Sequence, residues 1–199
     1  MIRGAPHWAD RSRYYTQTNN PTEEQIRKSG ARSWLETCGP TAAVNCLAAL
    51  GCAIDIRCPG PYRPQPEEVL ADFFNDPRNY EALQKERTDI APASLPGNRV
   101  PQYYPLAVRE VFGVQAGFAW VKDWIALVDY LVTGKAVQFC LKSPGHYLAA
   151  VAYDDMTDEI IYHDSWPARV GGDGFACRMA LAEYQTNVQP FAVIYGGPV

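Results

Sequence analysis

Hydrophobic and polar positions change rhythm partway along the chain. In the first half, apolar residues recur three and four apart, the spacing of helices. Residues 37–50, TCGPTAAVNCLAAL, make an Ala-rich helical run that stops at Gly51. QPEEVLADFFND is amphipathic with Pro near its start, and PRNYEALQKER continues helical. YYPLAVREVFG is a third helical segment. In KDWIALVDYLVTG, Asp123 is the cap, apolar residues fall at 124, 127, 128 and 131, and Gly134 follows. NPTEEQIRKSG suggests a short helix with Asn20 as cap and Gly30 as stop. Residues 1–20 are expected to be an irregular arm, and the Pro/Gly clusters at 59–66 and 91–102 to be loops. After residue 112 the pattern becomes that of strands between turn residues: GVQAGFAWV, KAVQFCLK, GHYLAAVAYD, DEIIYHDSW, GFACRMA and PFAVIYGG. Helices first and an antiparallel sheet second predict an α+β fold. One domain is expected over residues 1–199, mainly helical to about residue 112 and mainly β from about 113.

Composition changes this picture little. The 199 residues are 47% hydrophobic, enough for one good core. A net charge of −4 without any Lys/Arg block gives no electrostatic support to a nucleic-acid partner. The N-terminal stretch has no apolar segment of the kind a secretory signal needs. The apolar run from Thr41 to Ile54 is broken by Asn45 and too short to span a bilayer. Synthesis in the cytoplasm, no membrane partner and a monomer are the expectations. Release to a cell wall would need help from another protein.

The cysteines are Cys38, Cys46, Cys52, Cys58, Cys140 and Cys177, with no CxxC pair, and only three histidines accompany them. A structural zinc site is not expected. Mostly reduced, buried thiols are expected, with Cys52 and Cys58 the pair to watch in a loop-like stretch.

Cys38 stands apart because it opens a helix. There its thiol faces unpaired backbone N–H groups and the positive end of the helix dipole, both of which favour thiolate. Gly39 would let a substrate backbone approach, and Pro40 in the first turn costs no hydrogen bond. The competing expectation is a small hydrophobe starting a core helix. A nucleophilic cysteine needs a base. His7 lies in the arm, His146 opens a strand after a turn, and His163 sits within a strand. If the hairpin turn falls near Met156–Asp158, Asp164 returns beside His146, where a carboxylate would fix the imidazole tautomer.

These stretches together resemble the papain-like cysteine peptidases, in particular a stand-alone relative of the bacteriocin-processing, double-glycine leader peptidases. Tyr15, Gln17 and Asn19 match the first motif, and Cys38, Gly39 and Pro40 the second. Gly145, His146, Tyr153 and Asp154 match the third, and Asp164 and Trp166 the fourth. Ser165 replaces the family's usual Pro, and His163 its usual Asn. The resemblance implies a papain-like fold with the nucleophile at the start of a central helix. It implies Cys38 as nucleophile, His146 as base and Asp164 as orienter, with no metal or cofactor required. Gln17 would share the oxyanion hole with the Cys38 N–H, with Gln25 as a fallback for it. Gly39, Gly145 and Trp166 would meet substrate. Trp34, Tyr103, Tyr104 and Trp120, together with the two Pro/Gly loops, either line the cleft or serve ordinary packing. The implied substrate is a peptide, a protein or the peptide part of a bacterial cell wall, as for a phage-type lysin. A binding module without turnover and an acyltransferase using the same triad stay open.

Overall fold

Helix α1 (Cys38–Ala49) is carried by four alanines and Leu47, which lose little freedom in a helix, and its proline lies in the first turn, where no helical partner is lost. Every residue from Gly39 to Ala49 is buried, which explains the small apolar side chains all round it. Gly51, with φ +78°, turns the chain away at its end. The computed structural model describes residues 1–19, 37–52, 54, 65–88, 90, 100–121 and 123–196. The expected helix at 20–30, Gln25, Trp34, Cys58 and most of both Pro/Gly loops lie outside the described residues.

Around α1 come α2 (Pro66–Asn75), α3 (Pro77–Glu86) and α4 (Tyr104–Phe112). Asp76 ends α2 and caps α3, accepting from the Arg78 N–H at 2.9 Å. In the first turn of α2, Glu67 is buried, and neither carboxyl oxygen has a hydrogen-bond partner among the described residues. Burial pushes its carboxyl up to about 8, so it is a neutral acid at pH 7. Helix α5 (Trp124–Val132) has the expected cap, Asp123 accepting from the Ala126 N–H at 2.8 Å.

Among the described residues, seven strands form one antiparallel sheet: β1 (Ile2–Gly4), β2 (Ala116–Ala119), β3 (Ala136–Cys140), β4 (Tyr147–Asp154), β5 (Glu159–His163), β6 (Cys177–Ala180) and β7 (Ala192–Tyr195). Their order is β2-β7-β3-β4-β5-β6, and β1 pairs with the far end of β4. Strand β1 corrects the expectation of an irregular arm. Three residues are too few for an alternation to be recognised, and the ladder of β4 supplies the order.

Both faces of the sheet are covered. Ala136, Cys140, Tyr147, Ala149 and Val151 join the core around α1, α2 and α4. Val137, Phe139, Leu148 and Ala150 join a second core with Trp124, Leu127 and Leu131 of α5 and Tyr184 of α7 (Leu181–Asn187). Burial on both sides is why these strands are near-continuously apolar. A register shift between Ala150 and Ala152 brings Val151 and Ala152 to the same core. Helix α7 and the short α6 (Pro167–Val170) were not expected from the sequence. Too short for a helical period, both take their conformation from packing.

Among the described residues all five cysteines are free. No helix there is long and apolar enough to cross a membrane. No group of three or more His, Cys, Asp or Glu is arranged for a metal ion among them.

Candidate active site

Three elements deliver three side chains to one place: α1 brings Cys38, the start of β4 brings His146, and the end of β5 brings Asp164. The β4–β5 register sets His163 opposite Ala149, so Asp164 falls just past the paired residues and its side chain reaches His146. The His146 Nε2 to Asp164 Oδ1 distance is 2.7 Å. That leaves Nδ1 on the side of Cys38, a partly exposed residue whose thiol is influenced by the His146 ring and by the Gly39 and Tyr147 N–H groups.

The electrostatics follow from these contacts. Burial pushes the Cys38 thiol up, but the His146 hydrogen bond, the two N–H groups and the imidazolium charge outweigh it and carry the thiol below its ordinary value. Burial also opposes charge on His146. Hydrogen bonds to Asp164 and Cys38, and the charges of both, nevertheless raise it to about 9. Asp164 has no exposed surface, yet His146, the Trp166 N–H and Arg169 hold it below the ordinary carboxylate range against burial. These contacts therefore favour the thiolate–imidazolium form of the pair over thiol and neutral imidazole.

The surroundings fix this geometry. Buried Asn45 of α1 accepts the Tyr15 N–H at 2.8 Å and donates to the Tyr15 carbonyl at 3.0 Å. This pins the N-terminal arm to α1 and sets Gln17 near the site. The Gln17 N–H donates to the Ser165 carbonyl at 3.0 Å, and the Ser165 hydroxyl donates to Gln17 Oε1 at 2.7 Å. With Oε1 occupied, the amide has its two N–H bonds left to offer elsewhere. A proline at 165 could not make the hydroxyl bond. Ser165→Ala should cost about 1–3 kcal/mol by leaving the buried Oε1 unpaired, checked by urea titration, with Ser165→Thr restoring most of it.

The Tyr14 hydroxyl donates to the Asp164 carbonyl at 2.5 Å and to the Asp173 carbonyl at 3.0 Å. The Asp164 N–H donates to the Gly174 carbonyl at 2.8 Å. At the other end of the site, Gln138 of β3 donates to the Gly39 carbonyl at 3.1 Å and accepts from the Tyr195 hydroxyl at 2.6 Å. Gly39 is thus buried with its carbonyl occupied. Gly145 is exposed, and a Cβ there would meet nothing. The Trp166 ring stands edge-on to His146 at 6.0 Å, still 37% exposed, which leaves it available to a ligand.

The other two histidines are elsewhere. His7 lies at the far end of α1, its N–H on the Ala49 carbonyl. His163 is buried and stacked on Phe175 at 4.8 Å, its Nδ1 accepting the Ala176 N–H at 3.2 Å. Burial pushes it down to about 4, so it is neutral and structural.

The sequence reading missed Tyr14, Asn45, Gln138, Arg169 and Gly174. Only the glycines of GGDG carried a local signal, that of a tight loop.

The model of the Peptidase_C39 like family matches residues 10–188, spanning the arm, α1 and the strands of the site. Among curated proteins no sequence matches. Among solved structures, the peptidase domain of Streptococcus ComA, a bifunctional ABC transporter involved in quorum sensing, is similar over 85% of this chain and 96% of that one. The TM-score is 0.50 at 14% identity, a likeness of fold. The N-terminal peptidase C39 like domain of a toxin secretion ATP-binding protein from Vibrio parahaemolyticus covers 57% of this chain and 90% of its own, at 13% identity and TM-score 0.34. With the family model spanning all the elements that build the site, the chain belongs to the Peptidase C39 like family.

Proposed function

We propose that the protein is an active cysteine peptidase or amidase working through Cys38, His146 and Asp164. The carrying observation is buried His146, bonded to the Asp164 carboxylate at 2.7 Å and electrostatically coupled to the Cys38 thiol. The Cys38 thiolate attacks the carbonyl carbon and forms a tetrahedral oxyanion. The Cys38 N–H and the Gln17 amide are the candidate donors to that oxygen, a removed donor typically costing about 10²–10³ in turnover. As the C–N bond breaks, His146 gives its proton to the leaving amine. Water, deprotonated by His146, then cleaves the thioester and frees Cys38. The substrate is a peptide or protein, and bacterial cell-wall peptides are one class within it.

The pH dependence of Cys38 alkylation by iodoacetamide, with the site identified by mass spectrometry, tests the pair. Cys38 titrates below an ordinary thiol and His146 near 9, so the pair exists between them. The rate should rise in two steps, one below the ordinary thiol range as the thiolate forms and one near pH 9 as the imidazolium loses its proton. Hydrolysis needs that proton and should fall through the same upper step. A single rise near pH 8–9 would refute the pair. Peptide and purified cell-wall digests, each against alkylated protein, then identify the substrate class; reactive Cys38 without lysis of any wall removes cell walls from it. An added amine captured in the products would instead indicate acyl transfer.

A further inference from the structure

Asp164 has a cation on each oxygen. His146 and the Trp166 N–H, the latter at 2.8 Å, occupy Oδ1. The Arg169 Nε donates to Oδ2 at 2.7 Å, with a second guanidinium nitrogen on the same oxygen. Sulfur, imidazole, carboxylate and guanidinium therefore alternate in charge along one line of contacts. Helix α6 supplies this arginine through a turn in which the Arg169 N–H donates to the Trp166 carbonyl at 3.0 Å. The side chain is mostly covered, so its charge acts on Asp164 with little screening by water.

We propose that Arg169 is a positioning residue of the active site: it holds Asp164 ionised, with Oδ1 turned to His146, and moderates how tightly His146 keeps its proton. This rests on the Cys38–His146 pair proposed above. A buried carboxylate without a second partner has two poor options. It can take up a proton and stop orienting the imidazole. Or it can place its full charge on the imidazolium, which then gives up its proton reluctantly to a leaving amine. A guanidinium on the opposite oxygen avoids both, since it stays charged at any working pH and its planar fork fixes the carboxylate's rotation.

The groups facing this line are few. Cys140 of β3, Tyr104 of α4 and Tyr147 of β4 face Cys38, Tyr14 and Cys177 of β6 face Asp164, and Tyr162 of β5 and Cys177 face Arg169; burial holds the phenols of Tyr14, Tyr104 and Tyr147 uncharged. Burial keeps Cys140, Tyr162 and Cys177 neutral through the neutral range. Cys38, His146, Asp164 and Arg169 thus carry the charges of the pair's titration.

The test is the two-step iodoacetamide profile of Cys38 in wild type, Arg169→Gln and Arg169→Lys, with thermal melts to establish folding. Removing a positive charge from the far side of Asp164 should move the upper step up by about one pH unit in Arg169→Gln. Arg169→Lys should stay within about 0.3 unit of wild type, because it keeps the charge. A merely structural arginine would give the opposite sign, since a loosened Asp164 would lower the upper step. An upper step unmoved or lowered in folded Arg169→Gln, or Lys shifting as far as Gln, overturns the proposal. If Arg169→Gln does not fold, Arg169→Leu is read by the same criteria, its volume filling the site without charge. A wild-type profile with one step overturns the pair itself, and this proposal with it. Two steps in wild type with no upward shift in the variant overturn Arg169 alone.

Discussion

Replacing His146 with alanine should slow Cys38 alkylation at pH 6 about 100-fold, with a single rise near pH 8–9 replacing two steps. The imidazolium is the nearest positive charge to the sulfur, and burial alone would push the thiol up. Without the ring, the helix terminus and the Gly39 and Tyr147 N–H groups stay, but the imidazole's hydrogen bond and charge, which both lower the thiol, are lost. Two decades in rate at fixed pH correspond to about 2.7 kcal/mol lost from the thiolate. Turnover should fall further, because the ring also delivers the proton to the leaving group, a role typically worth about 10²–10⁴. Cys38→Ala, lacking the nucleophile, should abolish hydrolysis and keep the fold, since it exchanges one small side chain for another at the start of α1. Alkylation at pH 6 unchanged in His146→Ala would mean that the thiol is activated by something other than the imidazole.

Gly174→Ala should be one of the most damaging single-methyl changes among the described residues. Gly174 has φ +78°, where an L-residue costs about 1–2 kcal/mol. The larger cost is steric: a Cβ there would overlap the Asp164 carbonyl oxygen and the Tyr14 hydroxyl. Neither can yield cheaply. The first is backbone, and the second is held by hydrogen bonds to Asp164 and Asp173. The Gly174 carbonyl also takes the Asp164 N–H, so moving the loop moves the orienting carboxylate. A loss of about 3 kcal/mol or more in urea is expected, together with a weakened lower step in the alkylation profile. Gly172→Ala is the control, because a Cβ there meets nothing and its φ is unexceptional. Equal stability of the two variants would sink this account of the loop.

These predictions divide along the line between local and distant information. The helix start at Cys38 was legible, because Gly-Pro and the alanines act within a few residues. So was the approach of Asp164 to His146, because a hairpin is local and its register follows from its turn. Asn45 was legible only as an interruption of an apolar run. Its partner Tyr15 lies 30 positions away, and no local rule joins them. Ser165 was noticed as a departure from the family pattern, but its bond to Gln17 spans 148 positions.

The sequence by itself determined the types of the longer elements, the central helix with its cysteine, and the hairpin that carries His146 and Asp164. Hydrophobic period, turn residues and helix punctuation are all read over short windows. Only the tertiary structure decided that helices cover both faces of the sheet, that residues 2–4 extend it, and that Arg169, Tyr14 and Gly174 enclose Asp164. Those features depend on which surfaces meet after the chain has closed on itself. A buried polar group must take its partner from whatever segment arrives beside it. That partner can stand anywhere along the chain.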